Sequence, residues 1–277
     1  MTDGSVGLPG QAELPQRAAQ VKAWREAGQY PRAEQAARAA IAAVEAAGFG
    51  HAAELVALLN ELGMIGKYQG RFDEAEVCYR RALAVCRWHH PPGCPQAPAI
   101  LHNLGGLDHA RGAFESALSH ARAGIAAREA MIDADPLELA ADRGALAAIL
   151  TDLGRHDEAL AMLEAVAACY ERTYGTEHHE VAVTLHNLGS LQYRQGLVEA
   201  AGGNLHRALK IKIGLLGPRH PDVAVTRYNL ACCCRALGDT AAALAHLQDA
   251  IGVLDQVVAH DQPTLAACRR LLRELTQ

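Results

Sequence analysis

Three consecutive cysteines, Cys232, Cys233 and Cys234, are the first residues that could do chemistry, because thiolates bind metals and take part in redox reactions. They stand in the segment YNLACCCRALG, whose composition favours a helix. Successive residues of a helix point about 100° apart, so three neighbours cannot share one face. We therefore predict that Cys232 points toward the inner surface of the helix array and that Cys233 and Cys234 turn toward helix packing, all three acting as small hydrophobic residues and not as a site.

The segment CRWHHPPGCP is a better candidate for a metal site. Cys86, His89, His90 and Cys94 are ligand types that zinc prefers, at plausible spacing. The alternative is an ordinary helix junction, in which Cys86 lies on a helix and the histidines end it. The joint is therefore either a metal- or redox-responsive site or a structural connection. Eight cysteines in a long, helix-rich chain do not indicate a disulfide scaffold, so free thiols are expected.

Motifs for catalysis are missing from the sequence. GMIGKYQG lacks the spacing and the Ser or Thr of a phosphate-binding loop, and His179-Glu180 is followed by Val183 where a zinc protease needs histidine. We therefore expect no enzyme activity and no cofactor. The formal net charge of −5 argues against a nucleic-acid partner. The first residues do not resemble a signal peptide and no apolar run is long enough to span a membrane, so a cytoplasmic protein without a membrane partner is expected.

A repeat of 42 residues organises the chain. It is marked by glycines at positions Gly28, Gly70, Gly112, Gly154, Gly196 and Gly238. An alanine follows each glycine by five residues, and seven residues before it stands a small residue in five of the six repeats. A leucine precedes that small residue in the same five repeats. The glycine would end one helix and permit a tight turn, so each repeat predicts a pair of antiparallel helices.

The predicted helices follow from this register. The first helices of the pairs, here called A-helices, are predicted near 16–27, 50–69, 96–111, 137–153, 179–195 and 221–237. The second helices, the B-helices, are predicted near 30–47, 72–88, 114–133, 156–173, 198–214 and 240–258. Residues 264–275 form one more helix without a partner, and residues 1–12 are expected to be disordered.

The spacing L-G/A-x6-G-x4-A-x6-A resembles the tetratricopeptide repeat (TPR) pattern. The segments EVAVTLHNLGSLQYRQG and HPDVAVTRYNLACCCRALG look like the repeats of kinesin light chains. The resemblance covers about residues 16–262 and implies an all-α, right-handed TPR superhelix. It divides the chain into an N-terminal segment (1–12), six helix-turn-helix repeats (13–262) and a C-terminal capping helix (263–277). It also implies a protein-interaction scaffold that binds a partner peptide or helix in a concave groove lined by A-helices.

The resemblance also implies binding residues. In this family an asparagine of the A-helix often hydrogen-bonds the backbone of a bound peptide, which corresponds to Asn103, Asn187 and Asn229. The alternative is that these amides bridge adjacent A-helices, since an amide both donates and accepts. The other candidates on the same surface are Lys67, His102, His109, His186, Tyr193, Arg194, Tyr228 and Arg235. Two histidine pairs seven residues apart, His102 with His109 and His179 with His186, could make binding pH-sensitive.

The charges on this surface predict an acidic partner. Five cations face it, Lys22, Arg25, Lys67, Arg194 and Arg235, against three acids, Glu26, Glu61 and Asp152. A cleft with low-dielectric walls focuses the field of such charges. The alternatives are a solvated face with scattered charges, and self-association, in which the terminal helix or tail occupies the groove of a second copy to form a homo-oligomer.

Overall fold

The computed structural model describes residues 14–47, 51–89, 94–257 and 263–276, and within these ranges the regular secondary structure consists of helices. The helices are α1 (Leu14–Glu26), α2 (Tyr30–Ala47), α3 (Ala52–Tyr68), α4 (Phe72–His89), α5 (Ala97–Ala110), α6 (Phe114–Glu129), α7 (Pro136–Asp152), α8 (His156–Tyr174), α9 (His179–Arg194), α10 (Val198–Leu216), α11 (Pro221–Ala236), α12 (Thr240–Val257) and α13 (Pro263–Thr276). The predicted all-α fold is confirmed. The segment predicted to be disordered, residues 1–12, lies outside the described residues.

The chain forms two compact units, with Ala134 as the last residue of the first and Asp135 as the first residue of the second. Unit 1 contains the helix pairs α1/α2, α3/α4 and α5/α6. Unit 2 contains the pairs α7/α8, α9/α10 and α11/α12, followed by α13, which packs against α12 and α11. Within each unit every A-helix packs against its own B-helix, and α2, α4, α8 and α10 also pack against the following A-helix.

The glycines that mark the repeat end the A-helices as predicted. All six adopt φ values between +71° and +82°, a left-handed conformation that costs glycine nothing because it has no Cβ. At Gly70, for example, the amide bonds the carbonyl of Lys67 at 3.1 Å, and the next amide, of Arg71, bonds that of Gly66 at 2.8 Å. These bonds close the helix and turn the chain into the following B-helix.

The small residues of the A-helices allow the close approach of the paired B-helix. A Cβ added at Gly63 would lie 2.5 Å from the buried ring of Tyr79, and one added at Gly189 would lie 2.7 Å from Cγ of Leu205. Since both partners are fully or almost fully buried, neither has room to withdraw. The leucines that precede the small residues, from Leu62 to Leu230, are at most 8 % exposed, so the predicted core register is confirmed.

Ion pairs between B-helices and turns link successive repeats of unit 1. Arg71 contacts Glu34 at 2.6 Å, and Arg111 contacts Glu76 at 2.5 Å and Asp73 at 2.6 Å. Each pair joins one repeat to the next, because the partners are 35 to 38 residues apart. Exposed pairs of this kind contribute little singly, but they are consistent with the stacking order inferred from the repeat.

The largest difference from the predicted boundaries lies at the end of α6. This helix was predicted to continue to residue 133 but ends at Glu129, with Ala130 as its C-cap. The reason is the start of the next helix, where Pro136 is the first residue and the Asp135 side chain accepts the Leu137 amide at 2.9 Å. Proline at 136 holds Asp135 in an extended conformation, so α6 cannot continue into α7 and the residues between Glu129 and Asp135 form the connection.

Candidate functional site

Two of the three candidate asparagines bridge neighbouring A-helices. Asn103 on α5 donates from Nδ2 to Oδ1 of Asn60 on α3 at 2.8 Å. Asn229 on α11 donates from Nδ2 to Oγ of Ser190 on α9 at 2.9 Å, and the same nitrogen lies 3.3 Å from Nε2 of His186. Both amides are thus engaged inside their own unit, in the bridging role that was the alternative to contact with a ligand.

Asn187 on α9 is exposed and makes no hydrogen bond within the described parts of the chain. The reason lies in α7, the A-helix before it. The residues 43 and 39 positions before Asn229 are His186 and Ser190, which accept its amide. The residues 43 and 39 positions before Asn187 are Gly144 and Ala148, which have no polar side chain. The amide of Asn187 therefore stays available on the surface of unit 2.

The same two small residues open a groove between α7 and α9. It has a volume of about 270 Å³ and is lined by Gly144, Ala147, Ala148, Thr151, Asp152, Leu163, Asn187, Ser190, Leu191 and Arg194. A Cβ added at Gly144 would meet nothing within 4 Å. In repeats two, three, five and six the equivalent residues are Asn60, His102, His186 and Tyr228, which carry large side chains, whereas the first repeat has Ala18. The groove exists because Gly144 stands where repeats two, three, five and six carry a large side chain.

Most of the cations counted on the predicted binding surface are already paired. Arg25 donates from Nε to Oε2 of Glu61 at 2.6 Å, with both side chains almost fully buried. Burial would lower the pKa of Arg25, but the hydrogen bond and charge of Glu61 outweigh it, so the pKa is raised. Arg235 contacts Glu274 of α13 at 3.1 Å, and Lys22 lies 4.0 Å from Glu26.

Lys67 and Arg194 have no carboxylate partner among the described residues. Lys67 on α3 is half-buried, and a Cβ added at Gly106 of α5 would lie only 2.7 Å from its Nζ. The ammonium thus occupies the space that a side chain at Gly106 would fill, and burial lowers its pKa. Arg194 is exposed and lies on the wall of the groove of unit 2.

His186 belongs to a buried polar cluster and not to an open surface. Its Nδ1 lies 3.0 Å from Oγ1 of Thr226, which also accepts from Nζ of the buried Lys212 at 3.1 Å. Burial, together with the positive charge of Lys212, lowers the pKa of His186 to about 4, while Asp222 opposes the shift. Burial also lowers the pKa of Lys212. This histidine is therefore neutral near pH 7.

The remaining candidate residues are spread over both units. His102 and His109 are half-buried on α5 in unit 1, and the ring of His109 lies 5.7 Å from that of Phe114. In unit 2, Tyr193 is half-buried on α9. Burial raises the pKa of Tyr228 to about 12. Of the eleven candidates, the groove brings together only Asn187 and Arg194.

Sequence reasoning missed the residues that create the groove. Gly144 and Ala148 have no functional groups, and Thr151 and Ser190 were not singled out as ligand contacts. The signal was present in the repeat register, because Gly144 stands in a column that carries large side chains in repeats two, three, five and six. Its consequence for Asn187 could not be recognised from Asn187 itself, since the three asparagines share one motif and differ only in what faces them.

The three consecutive cysteines do not form a site. Cys232 packs in one hydrophobic cluster with Cys268, Cys233 in another with Leu205, and Cys234 is half-buried and free. Burial raises the pKa of all three thiols, which disfavours the thiolate that metal binding requires. The predicted packing is confirmed for Cys233. Cys232, which was predicted to face the inner surface, is instead buried, because Cys268 and Leu271 of α13 pack in the same cluster.

The expectation that all cysteines are free thiols is wrong for one pair. Cys86 and Cys94 form a disulfide, with Cα atoms 5.3 Å apart, while the six others are free. The residues lie close because Cys86 occupies the last turn of α4 and Cys94 stands just before α5. The disulfide uses the two sulfurs that the alternative metal site would need, and His90 lies outside the described residues. Among the residues that are described, no three His, Cys, Asp or Glu side chains are grouped as metal ligands.

No described helix is both long enough and apolar enough to traverse a lipid bilayer.

Solved structures with a similar fold include several repeat proteins. BtubC (BKLC) from P. vanneervenii is 22% identical, with a TM-score of 0.65 over 88% of this chain and 91% of that one. A kinesin light chain from Podosopora anserina with nearly identical TPR-like repeats is 22% identical, with a TM-score of 0.57 over 66% and 87%. A Rap protein complexed with Competence and Sporulation Factor is 14% identical, with a TM-score of 0.63 over 96% and 76%. At these identities the likeness concerns the fold. No curated protein sequence matches significantly.

The profile of the tetratricopeptide repeat family matches residues 54–130, 137–201 and 189–256. These ranges cover more than half of the chain, and they include the turns, small residues and leucines whose packing is described above. The resemblance drawn from the 42-residue spacing is thereby confirmed. This chain belongs to the tetratricopeptide repeat family.

Proposed function

We propose that this chain is a protein-interaction scaffold that holds a segment of a partner protein in the groove between α7 and α9 of unit 2. The observation that carries the proposal is the amide of Asn187. It faces an open groove, and α7 offers it no partner, whereas α9 accepts the equivalent amide of Asn229 one repeat later. An amide with free donors and a free acceptor can bond both polar groups of a peptide backbone.

The groove is suited to binding and not to catalysis. Its hydroxyl side chains are Thr151 and Ser190, the types that a neighbouring base can activate as nucleophiles. Thr151 donates to the carbonyl of Ala147 at 2.8 Å, so it faces no base. Ser190 is engaged as well. Its hydroxyl donates to the carbonyl of His186 at 2.8 Å and accepts from Asn229 at 2.9 Å. A hydroxyl that is held in this way, without a base as its acceptor, is not activated. Small residues on α7 leave space for side chains of a ligand, as in a preformed binding site.

The bound segment is proposed to be acidic, as the charge pattern predicted, but fewer residues support this than the sequence suggested. Arg194 carries the positive charge on the groove of unit 2, and Asp152 lines the same groove. If Arg194 contributes to binding, raising the salt concentration weakens the complex, because exposed charges are screened within about 10 Å at 0.1 M salt.

Similar proteins are consistent with such a role, since one Rap protein of similar fold was crystallised in complex with Competence and Sporulation Factor. Binding through a surface of A-helices is also what the resemblance to kinesin light chains implies. Asn229 and His186 are proposed to shape the surface of unit 2 beside the groove, because both are engaged by neighbouring side chains within that unit. Asn103 is engaged in the same way within unit 1.

The test fills the groove and compares captured partners. Gly144→Trp places a large side chain in the groove, where the structure has space for it. Gly203→Trp is the matched control, because Gly203 lies on the exposed face of α10 in the same unit and has equal space. Circular dichroism first checks the helix content of both variants. The two variants and the wild type then serve as baits in affinity purification, and quantitative mass spectrometry identifies the captured proteins.

We expect at least one partner that the wild type and Gly203→Trp retain and that Gly144→Trp loses. Equal recovery by all three baits would show that the groove is not the binding site. If the lost partner is a second copy of this chain, the scaffold is a self-associating one, which light scattering would establish independently.

A further inference from the structure

The starts of the A-helices in unit 2 are fixed by side-chain caps. Asp135 accepts the Leu137 amide at 2.9 Å before α7. His178 accepts the Glu180 amide through Nδ1 at 3.3 Å before α9, and His220 accepts the Asp222 amide in the same way at 3.2 Å before α11. Such caps satisfy amides that have no partner within the helix.

The start of α5 in unit 1 has no such cap. Its N-cap residue is Gln96, whose side chain makes no capping hydrogen bond and instead donates to the carbonyl of Ala53 at 3.1 Å. Cys94 stands in this joint at the position that His178 and His220 occupy in theirs, 84 and 126 residues later. It forms a disulfide with Cys86 in the last turn of α4. The disulfide thus stands where the other joints have a capping side chain.

We propose that the Cys86–Cys94 disulfide is a reversible thiol–disulfide exchange site that controls the order of the first turn of α5. Low-molecular-weight thiols are the class of reagent that would act on it. The site is separate from the groove of unit 2 and does not depend on the proposed function.

The chemistry balances with two such thiols. A thiolate attacks Sγ of Cys94, because Cys94 is 9 % exposed whereas Cys86 is 3 % exposed. The bond between the two cysteines breaks, Cys86 leaves as a thiolate that takes up a proton, and a mixed disulfide forms on Cys94. A second thiolate attacks the sulfur of the first reagent, which releases Cys94 as a thiol and a small-molecule disulfide. The protein gains two electrons and two protons.

Loss of the disulfide removes the bond that joins α4 to the start of α5. The first turn then has neither a cap nor a crosslink, and we expect it to open more often. It then keeps the hydrogen bond of the Ala97 amide to the carbonyl of Cys94 at 3.0 Å, that of the Gln96 side chain to the carbonyl of Ala53 at 3.1 Å, and the packing of Pro98 and Ile100. The equivalent turns of α9 and α11 keep their histidine caps, so they serve as internal references.

The experiment uses the full chain in mixtures of reduced and oxidised glutathione. Differential alkylation and mass spectrometry first measure the oxidised fraction of Cys86 and Cys94. Hydrogen–deuterium exchange then compares residues 97–101 in the oxidised and reduced protein. We expect exchange of these amides to rise by about tenfold or more on reduction, while the first turns of α9 and α11 change less than about twofold.

The variant Cys94→His provides the matched control. This substitution turns Cys94-Pro95 into the His-Pro pair that His220 and Pro221 form before α11, and it removes the disulfide. We expect residues 97–101 to be protected in this variant and to be insensitive to glutathione, whereas Cys94→Ala should resemble the reduced protein. The proposal is overturned if no disulfide forms under excess oxidised glutathione. It is equally overturned if exchange at the start of α5 is the same with and without the disulfide.

Discussion

Acidification should destabilise unit 2 through His186. A neutral ring with its proton on Nδ1 fits its surroundings, because Nδ1 donates to Thr226 at 3.0 Å and Nε2 accepts from Asn229 at 3.3 Å. A second proton on Nε2 would face the Asn229 amide, which is itself a donor. It would also add a charge beside Lys212, and only Asp222 offers a compensating negative charge. Folding therefore disfavours the protonated form.

The size of the effect follows from the pKa of the ring. Its ordinary value of 6.5 is lowered to about 4 in the folded protein. Above pH 6.5 the ring is neutral in both states, and between the two values the unfolded chain binds the proton more strongly, so stability falls as the pH falls. A shift of this size corresponds in total to about 3 kcal/mol, of which about 2 kcal/mol is lost between pH 7.5 and pH 5.

The assay is urea unfolding of the wild type and of His186→Gln at about pH 7.5 and pH 5, followed by circular dichroism. Glutamine keeps a donor and an acceptor but does not titrate, so other ionisable groups contribute equally to both proteins. The wild type should lose about 2 kcal/mol more than the variant on acidification. If both proteins lose the same stability, His186 is either exposed or already protonated, and the reasoning from its buried hydrogen bonds is refuted.

Two further predictions concern the packing of the helices. Gly189→Ala should destabilise the protein by about 1–3 kcal/mol, because the new Cβ would meet Leu205. Gly144→Ala should instead stabilise it by up to about 1 kcal/mol through helix propensity alone. Thermal unfolding of both variants tests this, and equal changes in stability would contradict it. Glu61→Ala should cost about 3 kcal/mol, because it leaves Arg25 buried without its partner. A loss under about 1 kcal/mol in chemical unfolding would mean that this ion pair is hydrated.

The fold could be predicted because each repeat carries the same local signals. A glycine at positive φ, a small residue opposite a B-helix and a leucine in the core recur with one period, and each has one physical reason. Helix boundaries differed most after Glu129, where the next helix sets the end of the loop. Such an effect depends on the following residues and not on the helix itself.

The candidate site could be predicted only in part, because the role of a residue depends on what faces it. Asn187 and Asn229 share a motif, but one faces glycine and alanine and the other faces Ser190. Arg235 and Arg194 were both predicted to contact a ligand, but Arg235 is paired with Glu274 of α13. These partners lie about 40 residues away in the sequence, so the pattern around the residue itself cannot reveal them.

The central claim is that Asn187, and not its equivalents, contacts a bound partner. The most direct measurement is the dissociation constant of the partner that the groove-filling experiment identifies, for the wild type, Asn187→Ala and Asn229→Ala. We predict that Asn187→Ala weakens binding by about tenfold with unchanged stability. Asn229→Ala should lower the free energy of unfolding by about 1 kcal/mol and change the affinity less than about twofold. Equal losses of affinity in both variants, or a loss in Asn229→Ala alone, would contradict the account.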